Sequence, residues 1–97
     1  MLIVIGNATA AHGRRDDLVT TALQMVAAAT DDDGCQSYGF YSDLANPDTI
    51  VSIEVWRDRG ALDAHMTHEH TQHFLAAVPD LVDGSPTVVV HQVANEH

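Results

Sequence analysis

The chain has 97 residues, 45% of them apolar, which fits one domain over residues 1–97 and argues against a disordered protein. Its formal net charge of −10, with four arginines and no lysine, makes nucleic acid and anionic membranes unexpected partners, because both bind through clustered cations. The single cysteine, Cys35, excludes an internal disulfide and, together with the lack of a long apolar run, predicts a cytoplasmic location.

The first half of the chain predicts a strand, a helix and a hairpin. Leu2–Ala10 begins with a continuous apolar, β-branched run that is typical of a strand buried on both faces. Arg14–Thr30 has apolar residues at helical spacing, which predicts a helix. This helix is expected to end near Thr30, because the acidic residues that follow are unfavourable at a helix C-terminus. The following aspartates, Asp31–Asp33, are interpreted as a solvated loop. Cys35–Ser42 and Thr49–Trp56 predict two strands joined by a short turn.

The second half predicts helical segments and a final strand. Asp58–Met66 is one helical stretch, and His68–Val82 is a second, with Thr67 as a candidate capping residue between them. Asp83–Pro86 is typical of a turn, and Thr87–Val93 predicts the last strand. The order β-α-β-β-α-β predicts an α+β domain of the ferredoxin-like class, with helices on one face of an antiparallel sheet.

The strands are apolar on both faces, which a sheet with one wet face would not be. In the third strand Ile50 and Trp56 point to one face, while Val51, Ile53 and Val55 point to the other. Something is therefore expected to cover the second face, and another copy of the same sheet in a two-fold homodimer is the simplest cover. The alternative is that strand propensity alone selected these residues.

Four segments resemble the antibiotic biosynthesis monooxygenase domain: Gly34–Tyr38, Ile53–Trp56, Ala61–His65 and His70–Phe74. The resemblance implies a dimeric α+β barrel with a ligand cavity between sheet and helices in each subunit. It also implies kinship with cofactor-independent oxygenases of phenolic or quinol-type aromatics, with haem-degrading enzymes and with an isomerase of a sugar phosphate. Because one fold carries several activities, the resemblance leaves the chemistry open.

Three positions compare with the aromatic-polyketide oxygenases of that family. Trp56 matches the tryptophan that ends their third strand. Ser52 stands where they have asparagine, and Leu62 stands where they have tyrosine. The resemblance implies that these three residues, together with Tyr38, contact a substrate.

The haem-degrading branch of the family matches at one position. Asn7 stands where that branch has its catalytic asparagine, so Asn7 is included among the catalytic candidates. His65 stands where the branch has tryptophan, and its haem-ligating histidine falls near Leu75. No haem is therefore expected.

Glu54 and His65 are the candidates for proton transfer. Ser52, Glu54 and Trp56 share one strand face, where an apolar pocket would raise the pKa of the Glu54 carboxyl and make it a possible general base. The alternative is that Glu54 anchors a helix or pairs with an arginine such as Arg57. His65 lies on the apolar face of its helix, and an imidazole there can take a proton from a phenol or enol, although a purely structural histidine fits equally.

Seven histidines are many for this length, and His65, His68, His70 and His73 cluster. No HExxH motif is present, and His65 and His70 are expected to diverge because Thr67 interrupts the helix. No metal site is therefore predicted, and His68 is interpreted as a surface residue without a role. Cys35 is interpreted as a small buried residue and not a nucleophile.

The resemblance, together with Trp56, His65 and Glu54, thus implies a monooxygenase that acts on a small aromatic, phenolic or quinol-type molecule and uses no bound cofactor. Two alternatives stay open. One is a non-catalytic dimer that binds a small ligand. The other is a cofactor-free isomerase in which His65 and Glu54 act as an acid–base pair.

Overall fold

The computed structural model describes residues 1–94 as a four-stranded antiparallel sheet with helices on one face. The elements in chain order are β1 (Leu2–Ala10), α1 (Arg15–Ala29), β2 (Cys35–Ser42), β3 (Thr49–Trp56), α2 (Arg59–Thr67), α3 (Glu69–Ala77), a 3-10 turn (Val78–Asp80) and β4 (Val82–Gln92). The strand order across the sheet is β2-β3-β1-β4, and every pair is antiparallel. The ferredoxin-like prediction is confirmed.

The predicted turn before the last strand is wrong. β4 begins at Val82, so Asp83–Pro86 lies inside the strand. The pairing of β4 with β1 shifts register between Asn7 and Thr9. The turn-forming residues therefore lie within the strand as an irregularity of its pairing. Pro86 is tolerated because β4 is an edge strand, where an amide hydrogen is not required on the outer side.

The predicted cap on the last helix is also wrong. Thr67 ends α2, and its hydroxyl donates to the carbonyl of Ala64. The residue between the two helices is His68, whose extended backbone (φ −68°, ψ 147°) turns the chain before α3 begins. This break directs the first turn of α3 back toward the end of α2.

The core lies between the sheet and the helices and includes two buried clusters within residues 1–94. One contains Ala10, Leu18, Ile50, Val78, Leu81 and Val82, and the other contains Leu2, Val4, Trp56, Ala61 and Leu62. The buried stripe of α1 includes Leu18 and Met25 at the helical spacing of the sequence, whereas Leu23 lies on the exposed face.

The turn after α1 is fixed by Gly34. Its φ of +81° is a conformation that side chains rarely allow, and a Cβ there would overlap the Cβ of Ala61 on α2. The carbonyl of Gly34 accepts a hydrogen bond from the amide of Arg57 at 2.8 Å. The amide of Cys35 donates to the carbonyl of Asp32 at 3.0 Å, so this turn holds Asp32 in place against the helices.

The face of the sheet away from the helices is apolar, as the sequence pattern predicts. Ile5 on β1 pairs with Ile53 on β3 and Val89 on β4, which forms one row across three strands. Ile5 and Ile53 are each 38% exposed, and Val89 is about half exposed. Separately, none of the helices within residues 1–94 has both the length and the apolar character needed to cross a membrane.

Candidate functional site

A cavity of about 330 Å³ lies between the sheet and the helices. Its floor consists of the side chains that point toward the helices from neighbouring strands. One row runs Tyr38, Glu54, Val4 and Val90, and the next runs Phe40, Ser52, Gly6 and Val88. The walls are mostly apolar, so the volume and lining suit a small aromatic molecule.

A glycine leaves part of this space open. A Cβ built on Gly6 would overlap the hydroxyl of Ser52, so no larger residue fits there unless Ser52 moves. On the opposite wall, Met66 and Leu75 line the cavity although both are exposed. Val88 also lines the cavity and is exposed, so these three residues form an apolar opening of the cavity.

Glu54 is a half-buried carboxyl in the floor of the cavity. It accepts a hydrogen bond at 2.9 Å from the indole nitrogen of Trp56. Burial raises the pKa of the Glu54 carboxyl, and the Trp56 hydrogen bond offsets this only in part. The predicted alternative partner is wrong, because Arg57 instead pairs with Asp33 and Asp58.

His65, near the end of α2, is a buried imidazole that lines the cavity. Its Nδ1 lies 2.6 Å from Oδ2 of Asp32 and 3.3 Å from the hydroxyl of Thr71. The ring packs on Trp56 with 4.5 Å between centroids. Because an ionised carboxylate only accepts hydrogen bonds, Nδ1 carries the hydrogen in the neutral ring and Nε2 is the acceptor.

Asp32 is the residue that the sequence analysis missed. Its side chain is 6% exposed, so interpreting Asp31–Asp33 as a wholly solvated loop was wrong. Besides His65, it accepts from Nδ1 of His68 at 3.0 Å and from Nε2 of His70 at 3.0 Å. The expected divergence of His65 and His70 is wrong, because the break at His68 folds α3 back onto Asp32. His68, interpreted as a surface residue without a role, is partly exposed but contacts Asp32.

The charges in this cluster follow from burial and hydrogen bonding. Burial raises the pKa of the Asp32 carboxyl, but hydrogen bonds from His65 and His70 outweigh it and leave that pKa below its ordinary value. Burial lowers the pKa of the His65 imidazole, and the hydrogen bond to Asp32 compensates only in part. An ionised carboxylate is thus surrounded by imidazole N–H groups.

The same four side chains could hold a metal ion. One donor atom from each of Asp32, His65, His68 and His70 lies within 4.8 Å of every other. Imidazole nitrogen and carboxylate oxygen are ligands that zinc and its neighbours accept. The sequence prediction of no metal site depended in part on the expected divergence of His65 and His70, but the structure brings both imidazoles to Asp32.

Six of the seven site residues predicted from the sequence line the cavity, and one does not. Those that line it are Asn7, Tyr38, Ser52, Glu54, Leu62 and His65. Trp56 is fully buried behind His65 and Glu54, so it supports the wall instead of forming it. Asn7 is exposed and alternates with Gly6 and Ala8, so its side chain points to the face of the sheet that carries Ile5, although the residue borders the cavity.

Comparison with known proteins establishes the family. The model of the antibiotic biosynthesis monooxygenase family matches residues 1–77, and the chain belongs to that family. The solved structure of Rv0793 from Mycobacterium tuberculosis is similar, with 27% identity, a TM-score of 0.91 and coverage of 98% of this chain and 96% of that one.

Two relatives are similar in sequence over most of this chain. The uncharacterized protein sll1783 of Synechocystis is 26% identical over 93 residues, 96% of this chain. The chain spans only 63% of the length of that relative. A Bacillus subtilis protein named "Putative monooxygenase YcnE" is 25% identical over 76 residues, which cover 78% of this chain and 80% of that protein.

Proposed function

We propose that the chain is a cofactor-independent monooxygenase acting on a small phenolic or quinol-type aromatic. The observation that carries the proposal is that His65 lines an apolar cavity while a buried carboxylate holds its Nδ1. Nε2 is then the nitrogen that can accept a proton from a bound phenol. Family membership and the name given to the relative YcnE support the same reaction class.

In the proposed reaction the substrate supplies the electrons and O2 is the oxidant. Nε2 of His65 removes the phenolic proton, and the phenolate gives one electron to O2 to form a ring radical and superoxide. These two recombine through a carbon–oxygen bond. The hydrogen on that carbon then passes as a proton to the distal oxygen while the O–O bond breaks, which leaves a quinone carbonyl and hydroxide. The imidazolium returns its proton, and water leaves.

The other residues of the cavity orient the substrate and exclude water. The rings of Tyr38 and Phe40 lie with centroids 5.7 Å apart, and Tyr38 also lies 5.8 Å from His65, so an aromatic substrate would be bounded by rings on one side. Ser52 and Glu54 are the polar groups in the floor that can bind a second oxygen of a quinol. Holding the ring beside Nε2 accounts for part of the rate through proximity.

The first experiment follows oxygen uptake and quinone absorbance with a panel of hydroquinones, anthrones and naphthols. We expect turnover with at least one of them and a loss of about 10²- to 10⁴-fold in kcat/KM for His65→Ala, because the proton acceptor is removed. The matched control is His12→Ala, which removes an exposed histidine in the turn before α1 and is expected to leave turnover unchanged. Equal rates for His65→Ala and the unaltered chain would exclude His65 from the chemistry.

A second candidate function is favoured by one observation: Glu54 and His65 line the same cavity. A carboxyl and an imidazole on one substrate could act as an acid–base pair in an isomerase. Such turnover would continue without oxygen, whereas the monooxygenase reaction would stop. Binding of the panel compounds without any turnover would instead favour a ligand-binding protein.

We also propose that the working form is a homodimer joined through the apolar second face of the sheet. The exposed row of Ile5, Ile53 and Val89 supports this, since large apolar residues on a sheet face are usually covered. A cytoplasmic location is part of the proposal, supported by the single cysteine.

A further inference from the structure

We propose that Asp32, His65, His68 and His70 form a binding site for a divalent transition-metal ion such as Zn²⁺. The four donor groups come from three segments that the fold brings together: the turn after α1, the end of α2 and the start of α3. Sequence separations of 33 to 38 residues between Asp32 and the histidines show that tertiary structure, and not a local motif, assembles the cluster.

The distances suit a compact tetrahedral set after a small adjustment. The carboxylate oxygens lie 2.6 to 3.0 Å from the three imidazole nitrogens. In a tetrahedral zinc site with bonds of about 2.0–2.1 Å, neighbouring donor atoms lie roughly 3.3 Å apart. An ion would thus replace the hydrogen bonds if the carboxylate–nitrogen distances lengthen by roughly 0.3 to 0.7 Å and the widest donor pair, at most 4.8 Å apart, moves inward.

Electrostatics and access favour a cation at this place. The chain has a net charge of −10, and the exposed residues Asp31 and Asp33 flank the buried Asp32. Arg57, the cation beside this turn, is already paired with Asp33 and Asp58. The side chains of His68 and His70 are 39% and 31% exposed, so an ion can reach the cluster from solvent without unfolding it.

Metal binding would change the hydrogen-bonding character of His65. Without metal, Nδ1–H donates to Asp32, which leaves Nε2 as the acceptor of a ring that lines the cavity. A metal bound through the Nδ1 lone pair requires the hydrogen of the neutral ring to be on Nε2, which then only donates. The ion would thus switch off the proton acceptor of the reaction proposed above. This consequence rests on the proposed function, whereas metal binding itself does not.

Titration calorimetry of the untagged, chelator-treated full chain with ZnCl2 tests the site. We expect one ion per chain, with a Kd of roughly 1 μM or below. His68→Ala should weaken binding by at least about tenfold, and this variant should fold because His68 lies partly exposed between two helices. His73→Ala is the matched control, an exposed histidine of α3 outside the cluster, and should bind like the unaltered chain. Co²⁺ should give the intense visible absorption of tetrahedral coordination.

Two outcomes would overturn the proposal. One is the absence of equimolar binding by the unaltered chain, and the other is unchanged binding by both His68→Ala and Asp32→Asn. Either would show that the cluster is a hydrogen-bond network only. The ¹⁵N signals of the His65 ring provide a readout that needs no substrate, since Nε2 should change from unprotonated to protonated when Zn²⁺ is added. If calorimetry shows binding while no phenol is ever oxidised, the metal site stands and the proposed function fails.

Discussion

At the scale of single residues, the candidate site depends on a carboxylate that no local motif indicates. Asp32 belongs to an acidic run after α1, and such a run is unfavourable at a helix C-terminus. The unfavourable position of this acidic run is the one feature of the sequence that could have drawn attention to Asp32. A buried aspartate at such a position needs several hydrogen-bond donors, which His65, His68 and His70 provide. Glu54 and His65 could be predicted from strand parity and helix spacing, whereas Asp32 required knowledge of how the two helices pack.

Glu54 provides a prediction about stability and pH. Burial raises the pKa of its carboxyl in the folded chain above that in the unfolded chain, so ionisation opposes folding. Glu54→Gln retains an oxygen that can accept the Trp56 hydrogen bond but cannot ionise. The free energy of unfolding of the unaltered chain should therefore fall relative to that of Glu54→Gln as pH rises from the pKa of the unfolded chain to that of the folded chain. Above the folded pKa the difference between the two proteins should stay constant.

Urea unfolding between pH 4 and 8, at one protein concentration, measures that difference. Glu69→Gln is the control, since Glu69 is an exposed carboxyl in the first turn of α3. A difference between the Glu54 variant and the unaltered chain that stays constant over this range would contradict the assigned burial effect.

At the scale of elements, the hydrophobic pattern predicts the strands where pairing and pattern agree. The predicted bounds of β1, β2 and β3 match those of the structure, because β1 begins with an apolar run, β2 is rich in aromatic residues and β3 in β-branched ones. β4 begins earlier than predicted because pairing with β1 overrides the turn propensity of Asp83–Pro86. The break at His68 could not be placed to the residue, since nothing in the local sequence shows that Thr67 bonds backward to Ala64.

The turn after α1 allows a prediction about packing. Gly34→Ala should destabilise the fold by about 2–4 kcal/mol, because it combines an unfavourable positive φ with overlap against Ala61. Gly13→Ala is a matched comparison, since Gly13 has a similar φ of +76° but no atom within 4 Å of the added Cβ. It should cost only about 1 kcal/mol. Urea denaturation of both variants measures the difference, and equal losses would show that packing against α2 contributes nothing.

At the scale of the whole molecule, the two faces of the sheet differ in what covers them. The helix-side face carries the cavity, while the other face presents Ile5, Ile53 and Val89 in one row without helices over them. The sequence predicted both faces to be apolar, because both parities of β3 hold large aliphatic residues. The cavity volume could not be predicted, since it depends on how far α2 and α3 stand from the sheet.

The proposed homodimer allows a prediction about association. Ile53→Asp places a charge at the centre of the apolar row and should shift sedimentation equilibrium at micromolar concentration from dimer to monomer, because burying an unpaired carboxylate is costly. Leu44→Asp is the control: Leu44 is 100% exposed in the β2–β3 turn, and the change should leave the dimer intact. A monomeric mass for the unaltered chain at that concentration would disprove the dimer.

The position of Trp56 makes the intrinsic fluorescence of the chain sensitive to the candidate site. It is the only tryptophan, it lies fully buried, and it contacts both His65 and Glu54. An imidazolium quenches indole emission by accepting an electron, whereas a neutral imidazole does so far less. The intrinsic fluorescence of the unlabelled protein should therefore dim when His65 gains a proton and respond when a ring enters the cavity, so one emission signal follows the charge state of the site in real time.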